Sequence, residues 1–286
     1  MASDPTGLRR EDRRNVDRRQ SDRQEEDRRK SDRRGTGTGA RFATYHPSDR
    51  NFFLLFVALC WLGVLMGFFP AVSARMQGRA DYSAPLILQI HVFAYVGWLV
   101  LLTSQMLLIR TSRQSVHRQL GLIAVALIPV MVLTGFVSEI YSQRFYLSHP
   151  PDSQAFFILP LWYVIGFGVL ATAAIMHRRD PVAHKRLIVL STLLIVGAAY
   201  ARWWGDWLER MVGDGYGGML IHSYTGTALL LLLAMGYDLL TRGTVHRVYR
   251  WGVPFILAGQ LATTIIYHSS AWLPVARRIV DGFSWV

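Results

Sequence analysis

The sequence predicts an all-α fold, a polytopic bundle of seven transmembrane helices entered from a cytoplasmic amino terminus. Three observations predict it. Of 286 residues, 51% are hydrophobic and 12% aromatic, including nine tryptophans, more than a soluble domain of this size carries. Apolar runs near spanning length recur along the chain, and hydrocarbon about 30 Å thick needs roughly 20 such residues per crossing. The basic residues divide very unequally between the two sides of those runs. Backbone amides in lipid must be satisfied internally, so each run is expected to be a helix.

The spans are read at about 52–74, 86–109, 117–140, 155–177, 182–205, 217–240 and 251–272. Residues 1–50 form a separate cytoplasmic tail, 51–273 the transmembrane domain and 274–286 a short outer segment. Asp-Arg units begin at 12, 17, 22, 27 and 32, and the tail balances 14 Lys and Arg against 10 Asp and Glu. With almost no large apolar residues to bury, it is expected to be disordered or a transient charge-paired helix. Its carboxylates largely cancel its field and no aromatics interleave with its arginines, which argues against nucleic acid as a partner. The first apolar run is too long and too far along for a secretory signal.

Lys and Arg count sets the orientation. The tail and the loops after the second, fourth and sixth spans carry 24, and the opposite side carries 7. This places the amino terminus and three His-basic loops in the cytoplasm: His117-Arg118 after Arg110, His184-Lys185-Arg186 after Arg178-Arg179, and His246-Arg247 after Arg242. Arg110, His117, Arg118, His184, Arg186, His246 and Arg247 are candidates to bind anionic lipid headgroups or another anion. The same loops suggest one helix followed by three repeated hairpins, with His91 and His222 at matching depths in the outer half and Trp162 in the corresponding region of the third copy.

His91, Tyr95, Trp98 and Gln105 share one face of the second span, and Gln260, Thr263, Thr264 and Tyr267 a stripe on the seventh. Polar stripes in lipid face the bundle. His91 and His222 are therefore either two imidazole ligands, for a metal or for haem b with Arg202 at a propionate, or interhelical hydrogen-bonding groups. Arg202 and Asp206 stand at i, i+4, the spacing of an ion pair. Gly63 and Gly67 form a G-x-x-x-G pair, suited to close helix packing or to a homo-oligomer.

Several classes are disfavoured. Lys30 and Lys185 are the only lysines, so the seventh span offers none for retinal. The lone Cys60 makes an intrachain disulfide impossible. No carboxylate sits at the middle of a span, and no hydrolase, metalloprotease or nucleotide motif marks an enzyme. Three functions remain: electron transfer with haem b or quinone, membrane assembly or lipid interaction, and small-solute transport.

His91, Gln105, His117-Arg118-Gly121, His184-Lys185-Arg186 and Arg202 together resemble a group of uncharacterised bacterial multi-pass proteins classed as a domain of unknown function. The likeness covers about 86–205, with a looser echo at 222–252. It implies a bacterial inner-membrane protein and supplies no activity.

Overall fold

In the computed structural model, the described residues are 42–80, 84–147 and 154–283. The Arg/Asp-rich repeats of the tail lie outside them. Thr44–Val286 form one compact unit, and no strand occurs among its described residues.

Among the described residues, nine α-helices follow one another: α1 Asp49–Met76, α2 Leu86–Arg110, α3 Gln114–Leu120, α4 Leu122–Leu147, α5 Ile158–Met176, α6 Pro181–Val212, α7 Tyr216–Arg242, α8 Arg247–Tyr267 and α9 Trp272–Gly282. A 3-10 turn, Gln154–Phe157, precedes α5. Six segments among the described residues are long and apolar enough to cross a membrane: α1, α2, α3 with α4, the turn with α5, α6, and α7. The chain is a multi-pass helical membrane protein. Large apolar side chains cover its outer surface, among them Phe93 at 76% and Leu240 at 90% exposure, which only a lipid solvent tolerates in such density.

α8 is a helix of 21 residues that is not among those six segments, and the reason is visible in its faces. Gln260, Thr263 and Thr264 are buried inside the bundle, while Trp251, Leu257, Leu261 and Ile265 are exposed on the other side. The inward polar stripe lowers its average hydropathy without putting polar groups into lipid.

α6 is the axis of the bundle and packs against α7, α5, α1 and α8. Its start is set chemically: Asp180 caps it by accepting from the amides of Val182 and Ala183 at 3.0 and 3.1 Å, and Pro181 occupies the first turn. Its middle is built on glycine contacts. The Tyr200 ring lies between Gly63 of α1 and Gly226 of α7, and its hydroxyl donates to the Leu59 carbonyl at 2.9 Å. A Cβ on Gly67 would stand 2.1 Å from the Ala199 carbonyl oxygen. The G-x-x-x-G pair therefore serves close packing of α1 on α6 within one chain.

Three local features depart from the sequence expectation. The third span breaks at Gly121 into α3 and α4. α6 continues to Val212, well past residue 205, so Trp203, Trp204 and Trp207 ride on the same helix. The carboxy-terminal segment contains an amphipathic helix, α9. Ala276 of α9 packs with Ile140 and Phe157, and Trp272 Nε1 donates to the Ala155 carbonyl at 2.9 Å.

Candidate functional site

The end of the bundle that carries Arg110, Arg186 and Arg242 is called the basic end here. Its polar residues are organised by two carboxylates on which the sequence reading placed no weight.

Asp49 opens α1, is 5% exposed, and gathers three helices. Lys185 Nζ donates to it at 2.7 Å, the Tyr237 hydroxyl at 2.6 Å, and Arg242 Nη2 at 2.8 and 3.0 Å. The Tyr237 ring is itself stacked on Phe52, with centroids 3.8 Å apart. Asp238, one turn before the end of α7, is 1% exposed. Arg186 Nε donates to it at 2.7 Å and Arg186 Nη2 to its second oxygen, a two-point fork between α6 and α7. The same carboxylate accepts the His246 amide at 3.2 Å, and Arg242 Nη1 stands 3.9 Å away. Arg242 thus lies between the two carboxylates.

Gly243 ends α7 in the left-handed region, at φ 68°, and turns the chain so that His246 can cap α8. His246 Nδ1 accepts the Val248 amide at 3.4 Å, which requires a neutral imidazole. Burial, and then the positive charge of Arg186, hold His246 down at about 4 against its ordinary 6.5. A group depressed in the folded state contributes stability that is present above the unfolded value and lost as pH falls through the folded one. The thermal midpoint of the detergent-purified protein should therefore fall between about pH 6.5 and 4, and His246→Asn, which keeps a capping oxygen, should flatten that slope.

Beside this network a cleft of about 310 Å³ opens between α1, α2, the α3–α4 junction and α6. Its depth is apolar, formed by Phe56, Val57, Trp98, Leu101, Ala124 and Val189. Trp98 is fixed there by donating to Thr192 at 3.1 Å. Nearer the basic end the wall turns polar with Gln105, His117 and His184, and Arg50, Arg110, Asp49 and Lys185 also line the cleft. Both polar atoms of the Gln105 amide and Nδ1 of His117 are buried with no hydrogen-bond partner among the described residues. Unsatisfied groups of this kind cost roughly 1–3 kcal/mol each, so their concentration at one cavity marks a place where a ligand can supply the missing partners.

The residues singled out in the sequence fall in different settings. His117 and Arg110 line the cleft with His184, whose Nδ1 contacts the Ala174 carbonyl at 2.7 Å. Arg110 is exposed and donates to Asn51 at 3.1 Å. Arg118 is exposed outside the cleft. Arg247 pairs with Asp180 at 3.1 Å in an exposed bridge between the starts of α6 and α8. Arg186 and His246 are buried in the ionic network, and a surface contact with headgroups is not the setting of either.

At the other end, the His91 ring lies tilted against Tyr95, centroids 4.1 Å apart, with its Nδ1 buried and without a partner among the described residues. Its helix packs against α1 and α4. His222 is half-buried on α7, which packs against α6 and α8, and its Nδ1 contacts Ser223 Oγ at 3.2 Å. α2 and α7 do not form an extensive helix pair. Arg202 is exposed on the flank of α6, with its guanidinium 5.0 Å from the Phe68 ring centre. No ion pair joins it to Asp206 among the described residues. No group of three or more His, Cys, Asp or Glu there could hold a metal ion.

Asp49 and Asp238 are what sequence reasoning missed. Asp238 had a signal, since it stands four residues before Arg242 inside an apolar run. Asp49 had none, being one acidic residue at the edge of a tail full of them. In comparison with known proteins, the chain matches no family model, no curated protein and no solved structure.

Proposed function

We propose that this protein binds one amphiphilic membrane molecule in the basic-end cleft, with the polar head at Gln105 and His117 and the tail along Phe56, Val57 and Trp98. The observation that carries the reading is the Gln105 amide, both of whose polar atoms are buried and unpartnered at the junction of an apolar depth and a charged mouth. Clefts that hold small ligands share this construction, mostly apolar with a few convergent polar groups, at volumes of about 300–1,000 Å³. The function is lipid interaction of a non-catalytic kind.

The test is native mass spectrometry of the detergent-purified chain. The wild type should carry a bound amphiphile. Ala124→Phe, which fills the cleft, should lose it while keeping its helical circular dichroism. An identical set of adducts in both proteins overturns the reading.

The placement that goes with this reading is a bacterial inner membrane, seven spans including α8, and a cytoplasmic amino terminus, as in the multi-pass group that the hairpins resemble. Lys and Arg asymmetry supports the orientation, and the two-faced character of α8 supports the seventh crossing. Fusions at Gly243 and at the carboxy terminus should report opposite sides of the membrane; the same side for both would remove the seventh span.

An electron-transfer reading has its own supports. Gln105 and His117 present uncharged groups suited to quinone carbonyls, and the unpartnered Nδ1 of His91 offers an imidazole suited to haem b. Solvent extraction for quinone and one absorbance spectrum test it. Colourless, quinone-free protein would end it.

A further inference from the structure

The charges around the cleft say more about its ligand than its shape does. Three cationic side chains line it, Arg50, Arg110 and Lys185, against one carboxylate, Asp49. That carboxylate is already divided, because Arg242 approaches both of its oxygens while Lys185 takes one. Lys185 is the more accessible of the two cations, with 22% of its side chain exposed against 2% for Arg242. Its ammonium has three N–H groups, and two point at Asp49 and at the Thr44 carbonyl, 3.1 Å away. Arg110 has only the neutral Asn51 oxygen as its partner among the described residues.

We infer that the cleft selects an anionic head, a phosphate ester, held by Lys185 with Arg110 and Arg50 at the mouth. The inference rests on the amphiphile reading above and narrows its ligand class. A phosphate offers several acceptor oxygens and at least one negative charge, which matches a lysine with a donor to spare and two arginines that have no carboxylate within ion-pair distance among the described residues. Moving Lys185 toward such a head would not undo the helix junction, since Arg242 and Tyr237 keep hold of Asp49. A lipid headgroup and a free phosphate share this chemistry, and the probes below separate them.

The experiment uses the full chain in a neutral detergent, with dioctanoyl phosphatidate, dioctanoylglycerol and inorganic phosphate as the three probes. Saturable binding of phosphatidate is expected, at least about tenfold tighter than dioctanoylglycerol, because hydrogen bonds to charged groups contribute roughly 1.5–3 kcal/mol. Lys185→Gln should remove most of that preference. Arg110→Gln, at an exposed residue whose loss leaves the buried network intact, should reduce it and weaken its dependence on salt. Inorganic phosphate that competes at the same concentration as phosphatidate supports the anion site and assigns it to free phosphate. Equal binding of phosphatidate and dioctanoylglycerol, unchanged by Lys185→Gln and Arg110→Gln, overturns the inference and leaves the amphiphile reading standing. Binding of none of the three probes counts against both, and Ala124→Phe then separates them: a native adduct that it removes restores the cleft and rejects only the phosphate head.

Discussion

Asp238→Ala should destabilise this protein by roughly 3–5 kcal/mol, the cost of removing one partner from a buried ion pair. The substitution leaves the Arg186 guanidinium, 3% exposed, without the fork that holds it, and it also takes away the acceptor of the His246 amide. Both losses fall at the junction of α6, α7 and α8. The measurement is the thermal midpoint in detergent, read by tryptophan fluorescence and by the survival of monodisperse protein on heating. Replacing the pair together, as Arg186→Met with Asp238→Leu, should recover much of the loss, because two apolar side chains do not leave a stranded charge. A single Asp238→Ala protein as stable as wild type would show that the fork contributes nothing to the fold.

Gly67→Val should be comparably severe for a different reason. The new Cβ would meet the Ala199 backbone 2.1 Å away, and a backbone carbonyl cannot rotate aside as a side chain can. α1 and α6 would have to move apart, which releases the Tyr200 ring from Gly63. Overpacking costs typically 1–3 kcal/mol and more where backbone is involved. Gly97 supplies the control, since nothing lies within 4 Å of a Cβ built there. Gly97→Ala should be neutral or stabilising by up to about 1 kcal/mol through helix propensity. Equal behaviour of the two variants would mean that α1 and α6 do not touch along this line.

The sequence made the membrane helices legible because hydrocarbon imposes a length and an apolar composition on every crossing. Their starts and stops were less so. α6 outruns its apolar segment because Trp203, Trp204 and Trp207 continue the helix among charged residues, and hydropathy alone cannot follow it there. The polar stripe of the second span was also legible, but not what each member does. Trp98 is satisfied by Thr192, and Tyr95 by the Met131 carbonyl at 3.3 Å, whereas His91 and Gln105 keep unpartnered atoms. Partners lie on other helices, so spacing along one helix cannot assign them. The basic loops divided in the same way. Arg186 and Arg247 look alike in the sequence, yet one is buried against Asp238 and the other is exposed beside Asp180. What separates them is which carboxylate the fold brings near.

The central claim is that the cleft beside Gln105 receives the tail of an amphiphile, and Trp98 is the reporter already in place. It is 3% exposed and lines the apolar depth. A dioctanoyl phosphatidate brominated along its chains should quench tryptophan fluorescence saturably, and Trp98→Phe should remove the saturable part while leaving the diffuse quenching of the other tryptophans. Saturable quenching that survives Trp98→Phe unchanged, or none in the wild type, would contradict the account.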